Sequence, residues 1–409
     1  MANMDWRGTI EGVAGRSWRS FRETVLAPKA GGPSDEKVAS LASQAAPVIW
    51  LIGKVQAGKS SIVRALTEAS AAEVGHGYKP CTRTAAIFDF PAEAPVIRFL
   101  DTRGLGEKGY DPADDIAVHE AQSHLMIAVM KALDPQQDAV TAAVKTARKR
   151  HPEWPVIVAQ TSLHEAYAPG EAHKRPYPFG DADAGAALPQ ALTRSLAYQR
   201  ALFADLPGNG AVLFVPLDFT QPGDGFDPIS YGLPALLAAL ETAAPAGLVA
   251  SLKDASLQTS DALARKAHPH IVGYATAAAA ADAVPVAGAV AVPAIQSKML
   301  HSLALIYGAE WNRKSLGEFA ACLGAGAVSR LLAGFGLREL AKLIPVYGQT
   351  AGAAAAAATS FATTYAIGKA ACYFLAQHRL GASDAQGVAK AYSAALTEAF
   401  RIRKASDGS

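Results

Sequence analysis

The residues best equipped for chemistry form the run Gly53-Lys54-Val55-Gln56-Ala57-Gly58-Lys59-Ser60, which satisfies the pattern G-x-x-x-x-G-K-[ST] at every fixed position. The glycines of such a loop let the backbone curl so that successive N–H groups point at phosphate oxygens. Lys59 would neutralise the β- and γ-phosphates of a nucleotide, and the Ser60 hydroxyl would ligate Mg2+. Gly53, Gln56, Ala57, Gly58, Lys59, Ser60 and Ser61 are therefore the candidate phosphate cradle. Chemistry of this kind needs a strand before the loop and a helix after it. Pro47 to Ile52 is an apolar run of strand length, and Ser61 to Leu66 reads as a helix whose N-terminal dipole also favours an anion.

Downstream, Val96 to Leu100 is a second apolar strand, and it ends in Asp101-Thr102-Arg103-Gly104. A D-x-x-G at a strand end, after a phosphate loop, resembles the second switch of P-loop GTPases. The resemblance implies that Asp101 holds Mg2+ through a water and that the Gly104 N–H senses the γ-phosphate. Between the two motifs lies the polar stretch Gly77 to Thr84, followed by the strand-like Ala86 to Phe90. Its Pro80-Cys81-Thr82-Arg83 run resembles the first switch of Era-like GTPases, which implies that Thr82 completes the Mg2+ shell, with Thr84 as the alternative. A solvated loop explains the same composition without any chemistry.

Base recognition departs from that family. Relatives carry N/T-K-x-D after the fifth strand, because one carboxylate accepts both N1–H and N2–H of guanine. Here the strand Val156 to Gln160 runs into Thr161-Ser162-Leu163-His164-Glu165. Thr161 and His164 are the candidate base-side residues, and neutral His164 offers one acceptor only. Glu165 serves instead if the register slides by one. GTP is favoured over ATP by resemblance rather than by residue chemistry. The catalytic side departs too, since Leu105 stands where many relatives place a water-orienting Gln. Arg103 and Arg83 are candidates for an internal arginine finger or, more plainly, solvated loop charges. Gln56 stands where potassium-activated relatives carry Asn, which leaves a K+ requirement open. Slow hydrolysis, quickened by self-dimerisation or a protein partner, is what these departures imply.

The elements that must position these residues fit an α/β P-loop NTPase of Ras-like, mainly parallel sheet, followed by an all-α, Ala-rich domain. Further strands are expected over Leu125 to Met130 and Ala211 to Val215, with helices over Gln136 to Arg150, Gln190 to Leu206 and Leu233 to Ala243. Asp111 to Asp115 reads as an acidic helix start, and Ala166 to Leu188 as an insertion over the base pocket. The 409 residues carry a net charge of +2, with half of them hydrophobic and 18% charged, so large cores are expected and nucleic acid is not. Three scattered cysteines without metal-ligand spacing suit a reducing cytoplasm. The first residues lack the apolar run of a secretory signal. The expected organisation is a helical extension over 1–46, with helices near Trp18 to Leu26 and Asp35 to Ala45, the nucleotide domain over 47–245, a linker helix over 246–267, a helical domain over 268–380, and a C-terminal helix and tail over 381–409.

In the Ala-rich half, Val284-Pro285-Val286-Ala287-Gly288 and Ile344-Pro345-Val346-Tyr347-Gly348 repeat one pattern, and Gly308 and Gly368 follow the two copies at equal distance. This suggests an internal duplication of proline-started helices with a glycine near their ends, or a coincidence of biased composition. Leu343 to Gly368 is uncharged and long enough to span a bilayer, but its Ala, Gly and Thr make insertion weak. A soluble bundle is the favoured reading, with membrane contact through 270–377 as the alternative, peripheral at the inner membrane. Ala291 to Met299, Ile306-Tyr307-Gly308 and Leu343-Ile344-Pro345 resemble the YcjF-type domain of unknown function found at the C-terminus of bacterial Era-like GTPases. The pairing implies a bacterial GTPase whose helical domain meets a membrane or a partner. Gln296, Lys298 and Met299 then mark a functional surface, or simply a helix with Met299 buried. Three functions remain open: a GTP switch with slow turnover, a nucleotide-dependent scaffold with little turnover, and a dynamin-like membrane GTPase.

Overall fold

The computed structural model describes residues 33–68, 78–80, 85–102, 123–179, 188–243, 261–283, 288–323 and 349–406. Two compact units emerge, one of Pro47–Phe90 and Ile97–Val249, the other of Met1–Ala46, Pro91–Val96 and Ala250–Ser409.

The first unit is built on a seven-stranded sheet of order β2-β3-β4-β1-β5-β6-β7. The strands are β1 (Val48–Gly53), β2 (Tyr78–Pro80), β3 (Ala85–Phe90), β4 (Ile97–Thr102), β5 (Ser123–Lys131), β6 (Val156–Thr161) and β7 (Val212–Pro216). β2 and β3 join antiparallel at one edge, and β4, β1, β5, β6 and β7 are parallel. Every residue of β1 and of β6 is buried, as continuous apolar runs require when helices cover both faces. β1 has β4 on one side and β5 on the other, so the chain changes direction across the sheet at the end of β1. Ligands of doubly wound sheets bind at that switch point, beyond the strands' C-terminal ends. A short antiparallel pair, β8 (Asp218–Phe219) with β9 (Ser230–Tyr231), follows β7 and has no counterpart in the sequence-level expectation.

The helices of this unit are α2 (Lys59–Thr67), α3 (Asp138–Arg150), α4 (Gln190–Ala201) and α5 (Leu233–Ala243). α4 ends before the expected Leu206, in a turn that drives Phe203 into the core. A buried guanidinium locks the far end of the sheet. Arg148, 1% exposed at the end of α3, donates from Nε to Pro207 O at 3.0 Å, from Nη1 to Trp154 O at 2.7 Å and from Nη2 to Gly210 O at 3.0 Å. Gly208 and Gly210 lie so close to the Pro152 and Trp154 carbonyls that a Cβ on either would overlap them.

The helical unit contains α1 (Asp35–Ser43), α6 (Ala262–Asp282), α7 (Gly288–Ile306), α8 (Arg313–Leu323), α9 (Gln349–Arg379) and α10 (Ala385–Ser406). Asp261 caps α6 by accepting from Leu263 N at 3.0 Å and Ala264 N at 3.3 Å. That helix then runs unbroken through Pro269, so the boundary expected at 267–268 falls inside one helix. Gly308, at φ 63, terminates α7 as anticipated for a left-handed cap. Gly368 does not end a helix; it lies in the interior of α9, where a Cβ would come within 2.7 Å of Ile271 Cγ2 and 3.1 Å of Met299 Sδ. The glycine there serves close packing of α9 on α6 and α7, which corrects the helix-end role read from the repeat.

Gln296 and Met299 are also core residues. Gln296 Nε2 donates to Thr364 Oγ1 at 3.0 Å in a buried pair, Met299 is fully buried, and Lys298 reaches Asp35 of α1. Burial pushes the Cys372 thiol up to about 12, the behaviour of an inert core cysteine. Among the described residues, no helix is long and apolar enough to cross a membrane. The helix expected near Trp18 to Leu26, the acidic segment Asp111 to Asp115 and the part of the expected span over Leu343 to Gly348 lie outside the described residues.

Candidate functional site

The loop between β1 and α2 turns through two left-handed residues. Gly58 sits at φ 100 as the N-cap of α2, a left-handed position that suits glycine. Gln56 is also left-handed at φ 61, and Ala57 N donates to Lys54 O at 3.3 Å. Gly53 pairs with Val129 of β5 so closely that a Cβ would come within 2.6 Å of Val129 O. Beyond the loop, α2 is anchored by buried Ile62, Val63 and Leu66, which leaves Ser60 and Ser61 in its first turn.

Lys59 curls back over this loop, donating from Nζ to Gly53 O at 2.7 Å and to Lys54 O at 3.0 Å. Asp101 Oδ1 lies 3.6 Å from the same ammonium. The strand register explains the meeting: Leu51 of β1 pairs with Asp101 of β4, so the two strands bring their C-terminal ends to one place. Ser60 and Asp101 supply a hydroxyl and a carboxylate, the hard oxygen donors that Mg2+ takes alongside substrate phosphates. The site residues therefore fit that ion. On the other flank Lys54 Nζ bonds Asp134 Oδ2 at 2.8 Å. Burial alone would raise Asp134, but the Lys54 bond and the Gln136 N–H hold its carboxyl below the ordinary value.

β6 reaches the loop through Thr161. Its Oγ1 donates to Ala57 O at 2.7 Å, and a Cβ added at Gly58 would lie 3.4 Å from its methyl group. Thr161→Val keeps the shape and removes the donor. The expected result is about a tenfold loss of nucleotide affinity with the fold retained, read by calorimetric titration. Unchanged affinity would return Thr161 to simple packing. Gln160, next to it, is turned away into the core, where Nε2 donates to Gln199 Oε1 at 3.0 Å.

The turn after β6 is a single turn of 3-10 helix, Leu163–Ala166, entered through Ser162 at φ 58. His164 is fixed there by Asp218 of β8, whose side chain is 1% exposed: the His164 backbone N donates to Oδ2 at 2.7 Å and Nδ1 lies 2.8 Å from both carboxylate oxygens. The Glu165 carboxylate bonds Lys131 Nζ at 2.8 Å. Phe226 packs beside the His164 ring with centroids 5.1 Å apart. The insertion that follows β6 continues this aromatic wall. His173, held below its ordinary value chiefly by burial, stacks on Tyr231 at 4.2 Å, and Tyr177 OH donates to Pro216 O at 2.6 Å. The insertion thus packs onto the ends of β7 and β9.

The structure brings together Gly53, Gln56, Ala57, Gly58, Lys59, Ser60, Asp101 and Thr161, with His164 on the next turn and Ser61 on the first turn of α2. Thr82, Arg103 and Gly104, together with Arg83, Thr84 and Leu105, lie outside the described residues. Asp134 and Asp218 were missed in the sequence, although each is an acidic residue just past an apolar strand.

Residues 48–161 match the family described as "50S ribosome-binding GTPase". The chain carries a P-loop GTPase domain. A small COPII coat GTPase (an ADP-ribosylation factor-like GTP-binding protein, Sar1) from Encephalitozoon cuniculi, solved with GDP, is similar at 13% identity and a TM-score of 0.31, over 58% of this chain and 93% of that one. Comparison with the curated proteins gives no match. In the GTPase domain, the matched segment ends at Thr161, so it holds the phosphate loop and Asp101 but not His164 or Asp218.

Proposed function

We propose that this protein is a Mg2+-dependent GTP switch with slow intrinsic turnover, belonging with the Era-like GTPases that carry a YcjF-type helical domain. The observation that carries the reading is the convergence of Lys59, Ser60 and Asp101 at the ends of adjacent parallel strands, with Lys59 Nζ on the loop carbonyls and 3.6 Å from Asp101. Mg-GTP supplies the phosphoryl group and its counterion. The chain's own residues bind and orient it: the loop N–H groups and Lys59 hold the phosphates, and Ser60 and Asp101 hold the metal side. Thr82 and the Gly104 N–H are the proposed γ-phosphate sensors, Arg103 the proposed internal finger, and Gln56 the residue to carry any K+ requirement.

Two features support control of the helical unit. The first is the chain order, since the proposed switches lead into β3 and out of β4. The second is that Pro91–Val96, the segment between these two strands, clusters with the helices, where Gly273 of α6 lies flush against the Ala94 carbonyl. A scaffold that binds GTP and barely hydrolyses it is the second reading, favoured by Leu105 in place of the water-orienting Gln.

Phosphate release from GTP, with and without Mg2+ and K+, tests both readings on wild type and Asp101→Asn. Slow release that needs Mg2+ and falls at least about tenfold in Asp101→Asn is expected. Binding without measurable release in any condition would leave the scaffold, and ATP binding as tight as GTP would remove the guanine assignment.

A further inference from the structure

The His164–Asp218 pair has a chemical consequence that reaches the base. A carboxylate only accepts hydrogen bonds, so with Nδ1 at 2.8 Å from both oxygens the ring hydrogen sits on Nδ1. The backbone N–H of His164 donates to the same carboxylate at 2.7 Å, which fixes the residue at two points and leaves little freedom to turn. Phe226 closes one side of the ring. With its single hydrogen on Nδ1, the uncharged form of the ring presents Nε2 as an acceptor on the edge away from Asp218. Its neighbour Glu165 is already matched to Lys131. Thr161, three residues earlier at the end of β6, bonds the phosphate loop itself, so the acceptor stands on the turn next to that strand end.

We infer that Asp218 is a positioning residue that locks His164 in the Nδ1–H tautomer, so that Nε2 reads the purine by accepting one hydrogen bond from N1–H. This rests on the GTP reading above. Guanine and hypoxanthine both carry a hydrogen at N1, whereas adenine has a lone pair there and would face acceptor against acceptor. A carboxylate at this position would also grip the 2-amino group of guanine; one imidazole nitrogen reads N1–H alone. The site therefore selects 6-oxopurines as a class and is indifferent to the 2-amino group.

Calorimetric titration of the full chain with GTP, ITP, ATP and tripolyphosphate, each with Mg2+, tests this. Wild type should bind GTP and ITP within about threefold of each other and ATP at least about tenfold more weakly. Asp218→Asn sets an amide beside Nδ1, frees the other tautomer and lets Nε2 donate to adenine. Its GTP-to-ATP preference should fall at least about tenfold, while tripolyphosphate, which reads only the phosphate loop, binds as in wild type. His164→Ala should weaken GTP and ITP alike and spare ATP, which covers the case in which Asp218→Asn fails to fold. Wild type that binds tripolyphosphate but no GTP would sink the GTP reading itself. Wild type that binds GTP but prefers it to ITP by tenfold or more would overturn the tautomer lock, as would an unchanged GTP-to-ATP ratio in both variants.

Discussion

Lys59→Ala is expected to lower nucleotide affinity by more than about a hundredfold, because one ammonium serves two purposes at once. Its Nζ spans the mouth of the loop through Gly53 O and Lys54 O, at 2.7 and 3.0 Å, and stands 3.6 Å from the Asp101 carboxylate. With the cation gone, the phosphates would meet Asp101 without a compensating charge. Truncating one partner of a buried charged pair costs about 2–5 kcal/mol, most of it from the charge left unpaired. The side chain is only 12% exposed, so water cannot replace it fully. The measurement is calorimetric titration with GTP and Mg2+, with circular dichroism to confirm that α2 persists. Wild-type affinity in this variant would remove the phosphate-loop assignment and every role built on it.

Arg148→Ala should have the largest effect on stability, a loss of about 3–5 kcal/mol in the GTPase domain. Three backbone carbonyls, Trp154 O, Pro207 O and Gly210 O, depend on this guanidinium, and they come from the entry to β6 and the α4–β7 connection. The side chain is 1% exposed, and burial pushes its guanidinium below the ordinary value while Glu153 opposes the shift. An arginine remains charged even so, and its planar fork matches three acceptors spread across two segments. Arg148→Lys should recover only part of the loss, since one ammonium cannot reach all three. Urea denaturation reads the difference, and a change below about 1 kcal/mol would mean that the carbonyls find other partners. Gly208 and Gly210 belong to the same lock, because their backbones close onto Pro152 and Trp154 without room for a side chain.

The central strands were legible for a plain reason. β1, residues 125–130 of β5 and residues 156–159 of β6 are buried, so each appears in the sequence as an uninterrupted apolar run. The edge was harder to read. β8 and β9 are two residues each, too short to show any alternation, and they exist because Asp218 pairs with Tyr231 and Phe219 with Ser230 across an intervening loop. Ala-rich helices carry the weakest signal of all. Small residues on every face hide which side is buried, so Gln296 and Met299 could be read as surface until Thr364 and Gly368 were placed against them. The repeat around Pro285 and Pro345 marks two helix starts nearby, yet Gly308 ends its helix and Gly368 packs inside one.

By itself the sequence determined the phosphate-binding loop, its flanking strand and helix, and the acidic strand end at Asp101. Each of these is local: a few consecutive residues dictate the backbone path, Gly58 permits a left-handed conformation that most side chains resist, and Gly53 leaves room for Val129 O. Only the tertiary structure decided which side chains complete the site. Asp218 lies 54 residues beyond His164 and Asp134 80 residues beyond Lys54, so their pairing depends on how the parallel strands line up their C-terminal ends. Hydrogen bonds between residues so distant in the chain leave no periodicity or spacing behind. They become visible when the sheet forms and places the ends of β4, β1, β5, β6 and β7 side by side.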